Sequence, residues 1–298
     1  MKVALVNPSS PLDQERLELG KTVLREICSQ SLTILEGKSM GKTCGYLAGN
    51  DEERIDDLDW AFGSDADIVW LARGGFGTTR LLDRLNWSAY AASNKRLIGF
   101  SDATALLTTF AAHGGGAIHG PMVAADLSLR NERTIESLQK ILIKRETDEF
   151  EFVGEMHSSV GGSEPTITGE ILAGNLVLFS SLAGTKYFPQ GKGQIIFLEE
   201  VNEEPYRIDR LLTQLIDSGL FEGAKAVVFG SMSGCVAEDP SRSFTTKEVQ
   251  KEFSSRTKLP VVTDFPFGHE GANTLLPLGG KVELRPGPDG RISAQVFC

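Results

Sequence analysis

A hydroxyl, an imidazole and a carboxylate, each at the end of an apolar run, carry the chemistry that this chain could perform. Ser101 follows Leu97-Ile98-Gly99-Phe100 and precedes Asp102-Ala103-Thr104-Ala105-Leu106-Leu107, so a buried strand turns into a helix at a serine. Such a serine stands above the sheet edge with the next N–H groups facing an incoming oxyanion. The stretch resembles the nucleophile elbow G-x-S-x-G, with Ala103 in place of the last glycine. A plain helix cap accounts for Ser101 or Asp102 equally well. A nucleophilic serine also needs a base and a group that orients the base. Among the four histidines, His113 falls several turns into the helix after Ser101 and His157 lies in a weakly patterned stretch. His119 ends a strand, whereas His269 sits on a Gly-flanked loop, where functional residues concentrate. His269 is therefore the preferred base and His119 the alternative. The run Gln194–Leu198 ends in Glu199-Glu200, and a carboxylate at a strand's C-terminal end faces the crevice above a sheet. That selects Glu199, and assigns Glu200 and Glu203 to a solvated acidic turn.

The elements that must hold these groups alternate along the first half. Val3–Val6, Ser31–Leu35, Asp67–Ala72 and Arg96–Phe100 read as strands. Leu12–Ser29 (with Leu17, Leu19, Val23, Leu24 and Ile27 at helical spacing), Asp51–Phe62 and Thr78–Leu85 read as helices. Asp51, Glu52 and Glu53 suit the positive end of a helix dipole. Alternating strands and helices predict a mostly parallel sheet covered on both faces. Between Ser128 and Thr168, charges with Gly161-Gly162 and Pro165 mark a junction, predicting domains at 1–150 and 165–298. Beyond it, Ala226–Phe229 reads as a strand, and Pro205–Ser218 as a helix begun by Pro205 and closed by Gly219.

Composition removes several classes. The 298 residues carry 40 acidic against 30 basic side chains, a net charge of −10, which disfavours nucleic acid and anionic membranes as partners. No apolar run reaches the length of a membrane span, and the N-terminus lacks the pattern of a secretory signal. Cys28, Cys44, Cys235 and Cys298 are widely spaced, without C-x-x-C, so neither a zinc site nor a disulfide framework is expected, and the location expected is cytoplasmic. Gly75-Phe76-Gly77-Thr78-Thr79-Arg80 lacks the third glycine of a dinucleotide loop. Gly37-Lys38-Ser39-Met40-Gly41-Lys42-Thr43 has one residue too few between its glycines for a phosphate loop.

Taken in order, several blocks resemble the LD-carboxypeptidase family, which contains murein tetrapeptide carboxypeptidases and microcin-immunity peptidases. They are Asn7-Pro8-Ser9-Ser10-Pro11, Ala48–Arg54, Ala72–Gly77, Gly99-Phe100-Ser101-Asp102, His119–Met122, Gly174-Asn175-Leu176, Gly184–Tyr187, Leu198-Glu199 with Glu203–Arg210, and Gly268-His269. The resemblance implies a serine peptidase with Ser101 as nucleophile, His269 as base and Glu199 as the orienting acid. It implies an N-terminal doubly wound α/β domain of flavodoxin or glutamine-amidotransferase type carrying the serine. A smaller C-terminal mixed α/β domain would then carry Glu199 and His269. The implied substrate is a cytoplasmic murein tetrapeptide losing its terminal D-alanine, with no metal or organic cofactor required. On that reading the N–H groups of Gly75 and Asp102 form the oxyanion hole. Arg73, with Gly74 beside it, would meet the free α-carboxylate. Ala173, Lys186 and Glu200 depart from the family pattern without touching the triad. Microcin-type relatives tend to carry a longer insertion with an aromatic between the serine and glutamate blocks. Here Val153–Thr168 holds no tryptophan, which favours the murein enzyme over cleavage of an aminoacyl-nucleotide amide. A non-catalytic binding module would have no need of all three groups, and a homodimer is left open.

Overall fold

A computed structural model of the chain describes residues 1–28, 32–157, 166–287 and 290–297. Ser29, Ser31, Gly161, Gly162, Pro165 and Cys298, used in the sequence reading, lie outside the described residues. The chain divides into two compact units, Met1–Lys144 with Asn273–Leu278, and Arg145–Ala272 with Gly279–Cys298.

The first unit is built on β1 (Lys2–Val6), β2 (Thr33–Glu36), β3 (Ile68–Leu71), β4 (Arg96–Gly99) and β5 (Gly116–His119), all paired parallel. β3 is buried along its whole length, as a strand covered on both faces must be. Helices α1 (Gln14–Cys28), α2 (Asp51–Gly63), α3 (Trp87–Ala92), α4 (Thr104–Ala112) and α5 (Glu132–Leu138) complete the unit. α2 begins on a capping box, Asn50 accepting from the Glu53 N–H while Glu53 accepts from that of Asn50, which satisfies two orphan donors at once. α1 departs from its expected face. Leu17, Gly20 and Leu24 are buried, whereas Leu19 is half exposed, because Gly20 lets the helix approach the Val123 carbonyl more closely than any side chain would permit.

The second unit holds β6 (Asp148–Val153), β7 (Met156–His157), β8 (Ile167–Asn175), α6 (Leu176–Leu182), β9 (Gln194–Val201), α7 (Pro205–Asp217), β10 (Ala226–Ser233), α8 (Thr246–Thr257) and β11 (Val261–Val262). β12 (Leu276–Pro277) is followed by β13 (Lys281–Pro286) and β14 (Arg291–Val296). β8, β9, β10 and β11 run parallel, and antiparallel strands flank them, in the order β6-β14-β13-β8-β9-β10-β11-β7. A core of Leu176, Phe179, Ile196, Leu198, Ile208, Leu212, Phe229 and Phe253 lies between this sheet and α6, α7 and α8. The sheet of this unit has eight strands, against six in the sheet of the first.

β12 belongs to the first sheet, where it pairs antiparallel with β5, giving the order β12-β5-β4-β3-β1-β2. The five parallel strands thus follow the doubly wound flavodoxin order, with the topological switch between β1 and β3. The contiguous domain boundaries read from the sequence missed this return. Its anchors are side chains distant in sequence: Thr134 Oγ1 accepts from the Asn273 N–H at 2.8 Å and Ser137 Oγ from the Leu275 N–H at 3.0 Å.

Candidate active site

In the first unit, the loops after β1, β3 and β4 meet at the C-terminal ends of their strands, where open α/β sheets bind ligands. The chain leaves β4 extended through Phe100, enters the left-handed region at Ser101 (φ +60°), and continues into a short 3-10 turn and α4. A left-handed serine costs about 1 kcal/mol or more, and such strain persists only where its surroundings enforce it. Here they do. A Cβ on Gly99 would lie 2.9 Å from Leu71 and 3.0 Å from Ala103 Cβ, so the strand closes tightly on the turn. Ala103, the departure from the elbow pattern, is fully buried against that glycine. Gly74 is equally constrained, since a Cβ there would stand 3.1 Å from Ser101 Cβ and 3.2 Å from its Oγ.

The side chain of Asp102 locks the three loops together. It is 1% exposed, and its carboxylate accepts from Ser9 Oγ at 2.7 Å, from the Thr78 N–H at 3.0 Å and from the Gly77 N–H. Thr78 Oγ1 donates back to the Asp102 carbonyl at 2.6 Å. Burial pushes this carboxyl above its usual range, with the hydrogen bonds opposing the rise. Arg54, wholly buried at the start of α2, donates to the Pro8 carbonyl, to the Gly77 carbonyl at 3.0 Å and to Asp51 at 2.5 Å. Thr78 is therefore held on both its backbone and its side chain. The expected helix Thr78–Leu85 is replaced by two 3-10 turns, Thr78–Arg80 and Leu82–Arg84. The exposed Arg73 donates to the Pro11 carbonyl, which occupies one arm of its guanidinium. Gly75 (φ +110°) packs against Ser10, whose Oγ accepts from the Phe76 N–H at 3.1 Å.

The second unit brings Glu199 and His269 into contact. Glu199, in β9, is fully buried, and its Oε2 lies 2.6 Å from His269 Nδ1. A carboxylate oxygen accepts, so Nδ1 carries the proton in this contact, which is the tautomer with its ring lone pair on Nε2. The strap Asp264–Glu270 that presents the imidazole is fixed on both sides. Phe265 and Phe267 are buried edge-to-face on Phe197 at 5.1 and 5.8 Å, and the Ser231 N–H donates to the Phe267 carbonyl at 2.8 Å. Gly268 (φ +119°) makes the approach feasible, because a Cβ there would meet Glu199 Cβ at 3.0 Å and Oε2 at 3.2 Å.

Successive strand residues point to opposite faces, and Glu200 accordingly turns away from His269. Far from being a solvated turn residue, it is 3% exposed and accepts from Asn175 Nδ2 (3.1 Å), the Val177 N–H (2.9 Å) and the Val201 N–H (2.8 Å). It thus binds the N-terminal turn of α6, and burial raises its carboxyl above the ordinary range. His119 is fully buried, its ring edge-on to Phe100 at 5.7 Å, in the packing beneath the elbow. His113 caps the end of α4, and His157 lies in β7 beside Glu155. Ser101, Gly74, Gly75 and Asp102 belong to the first unit, Glu199 and His269 to the second.

The sequence reading singled out no role for Ser9, Arg54, Thr78 or Ser231. Three of them lie in or beside blocks used for the resemblance, but nothing local shows what they reach. The rejected phosphate-loop decoy has a structural counterpart: the N–H groups of Lys38 and Ser39, each at 2.8 Å, are taken by the buried Asp57 carboxylate. Among the described residues, no group of three or more His, Cys, Asp or Glu side chains is placed to hold a metal, and no helix is long and apolar enough to cross a membrane.

Comparison with known proteins agrees with this architecture. Residues 3–120 match the N-terminal domain of LD-carboxypeptidases and residues 168–284 the C-terminal domain. The chain is 38% identical over 95% of its length to a Streptomyces coelicolor protein provisionally designated a carboxypeptidase, which is covered to 90%. It is 33% identical over 93% of its length to the murein tetrapeptide carboxypeptidase of Pseudomonas aeruginosa, covered to 91%. The crystal structure of a muramoyltetrapeptide carboxypeptidase from Oxalobacter formigenes superposes with a TM-score of 0.88 at 28% identity, covering 100% of this chain and 99% of that one. The chain therefore belongs to the LD-carboxypeptidase family and is a serine-type peptidase, a hydrolase.

Proposed function

We propose that the protein removes the terminal D-alanine from murein tetrapeptides by serine acyl transfer, in the recycling of cell-wall peptides in the cytoplasm. The observation that carries this reading is the Glu199–His269 contact, which fixes the imidazole in the tautomer that a general base requires. Ser101 Oγ attacks the carbonyl of the bond between an L-centre and the D-residue while His269 Nε2 takes its proton. That proton passes to the departing amine, and the C–N bond breaks to leave an acyl-serine and free D-alanine. Glu199 stabilises the imidazolium that forms in between. The N–H groups of Gly75 and Asp102 receive the oxyanion, each such donor contributing on the order of 3 kcal/mol in the transition state. Water, deprotonated by His269, then hydrolyses the ester. Gly74, with the remaining donors of Arg73, meets the substrate carboxylate. The names of the Pseudomonas and Oxalobacter relatives support the murein substrate.

The test is release of D-alanine from a murein tetrapeptide by the wild type and Ser101→Ala, alongside an aminoacyl-nucleotide amide as comparison substrate. The expected result is tetrapeptide turnover, lowered on the order of 10³-fold or more in the variant. Turnover of the nucleotide amide alone would overturn the substrate, and undiminished release by Ser101→Ala would overturn the nucleophile.

A further inference from the structure

A cavity of about 400 Å³ opens in the second unit between the end of β10, the first turns of α8 and the strap Asp264–Glu270. His269 does not line it, but its neighbour Glu270 does. Its floor contains Gln250, which is 4% exposed and whose side-chain amide meets no hydrogen-bond partner among the described residues. Water that enters the cavity can meet this amide, so a ligand that displaces the water must offer a polar group in its place. Around it stand both signs of charge, the Lys247 ammonium, 3.4 Å from Asp264 Oδ2 and 3.8 Å from Glu155 Oε1, and the Glu270 carboxylate, with an apolar wall that includes Met232 and Phe265.

We propose that this cavity is a binding site for a free amino acid, the product that any carboxypeptidase releases, and that its occupancy acts on the His269 strap. The chemistry selects a zwitterion. A phosphate or another dianion would face two carboxylates, and an apolar molecule would leave the Gln250 amide unsatisfied and strip water from three charges. An amino acid places its carboxylate on Lys247, its ammonium on Glu270, and one of these groups within reach of Gln250, with its side chain on the wall. The volume falls within the range of small-molecule sites. The link to the strap is short: Ser231, on the cavity wall, accepts at Oγ from the Glu270 N–H at 3.3 Å and stands 3.2 Å from where a Gly268 Cβ would be.

The experiment titrates the full chain with D-alanine and with L-alanine by ligand-observed NMR, in the wild type, Gln250→Met, Lys247→Met and Ser101→Ala. Saturable binding is expected in the wild type and in Ser101→Ala, weakened about tenfold or more in Gln250→Met and in the surface variant Lys247→Met. In turnover assays the added amino acid should lower kcat rather than raise KM alone, with the effect lost in Lys247→Met. The proposal is overturned by absence of saturable binding to the wild type, by unchanged affinity in Lys247→Met, or by loss of binding in Ser101→Ala. Binding is read independently of turnover, so failure of the proposed peptidase reaction would leave this result standing.

Discussion

Glu199→Gln preserves the volume of a buried side chain and removes only its charge and one acceptor. Glu199 Oε2 lies 2.6 Å from His269 Nδ1, while Oε1 is buried without a hydrogen-bond partner among the described residues. The amide therefore has two orientations. With its oxygen towards Nδ1, the NH₂ occupies the enclosed Oε1 position and its donors go unsatisfied, costing about 1–3 kcal/mol. With the NH₂ towards Nδ1, it donates to the ring, the imidazole proton moves to Nε2, and the base is blocked. A preference of about 2 kcal/mol for the second orientation leaves roughly one molecule in thirty competent. Loss of the carboxylate also removes the stabilisation of the imidazolium, and together the two effects place the fall in kcat on the order of 10³–10⁴-fold. KM should change little, because Glu199 is fully buried. Steady-state release of the terminal amino acid measures the rate, and ¹⁵N NMR of His269 measures the tautomer. A folded variant with kcat within about tenfold of wild type, or with the proton still on Nδ1, would refute the reasoning.

Other expectations concern the elbow and the buried acids. Ser101→Gly should be more stable than Ser101→Ala by about 1 kcal/mol in denaturant unfolding while both lack turnover, since only glycine accepts φ +60° without strain. Gly74→Ala should lower kcat and destabilise by about 1–3 kcal/mol, because its Cβ would press on Ser101 Cβ and Oγ; a neutral result in both assays would remove Gly74 from the site. Glu200 titrates above its unfolded value, so the stability it contributes is fully present below the unfolded carboxyl range and is lost as pH rises towards its folded pKa. Glu200→Gln should therefore gain stability relative to wild type as pH rises from ~4 to ~7 in urea unfolding, and the opposite trend would reject the sign.

Much of the architecture was readable because it rests on local rules. The four-residue apolar runs at β1 and β3, the capping residues before α2, and the stripe of α7 between Pro205 and Gly219 each declare themselves within a short window. Glu199 and His269 could be selected because strand ends and Gly-flanked loops are where reactive groups gather, and the family blocks reinforced them. Glu200 was misread because a charged pair at the end of an apolar run looks the same whether the strand continues through it, with its second member capping a helix, or stops before it in a solvated turn. The Thr78 turns were misread because their hydrogen-bond partner, Asp102, is remote in sequence.

The sequence alone determined the strand and helix runs, the glycines on which loops can close, and the residue types available for acyl transfer, since these follow from spacing and backbone preference. Only the tertiary structure decided that β12 returns to the first sheet, that the Asp102 carboxylate ties two other loops to the elbow, and that Glu199 meets His269 while Glu200 faces the other way. Each of these depends on partners far apart along the chain, and a hydrogen bond between remote residues leaves no periodicity for a linear pattern to reveal.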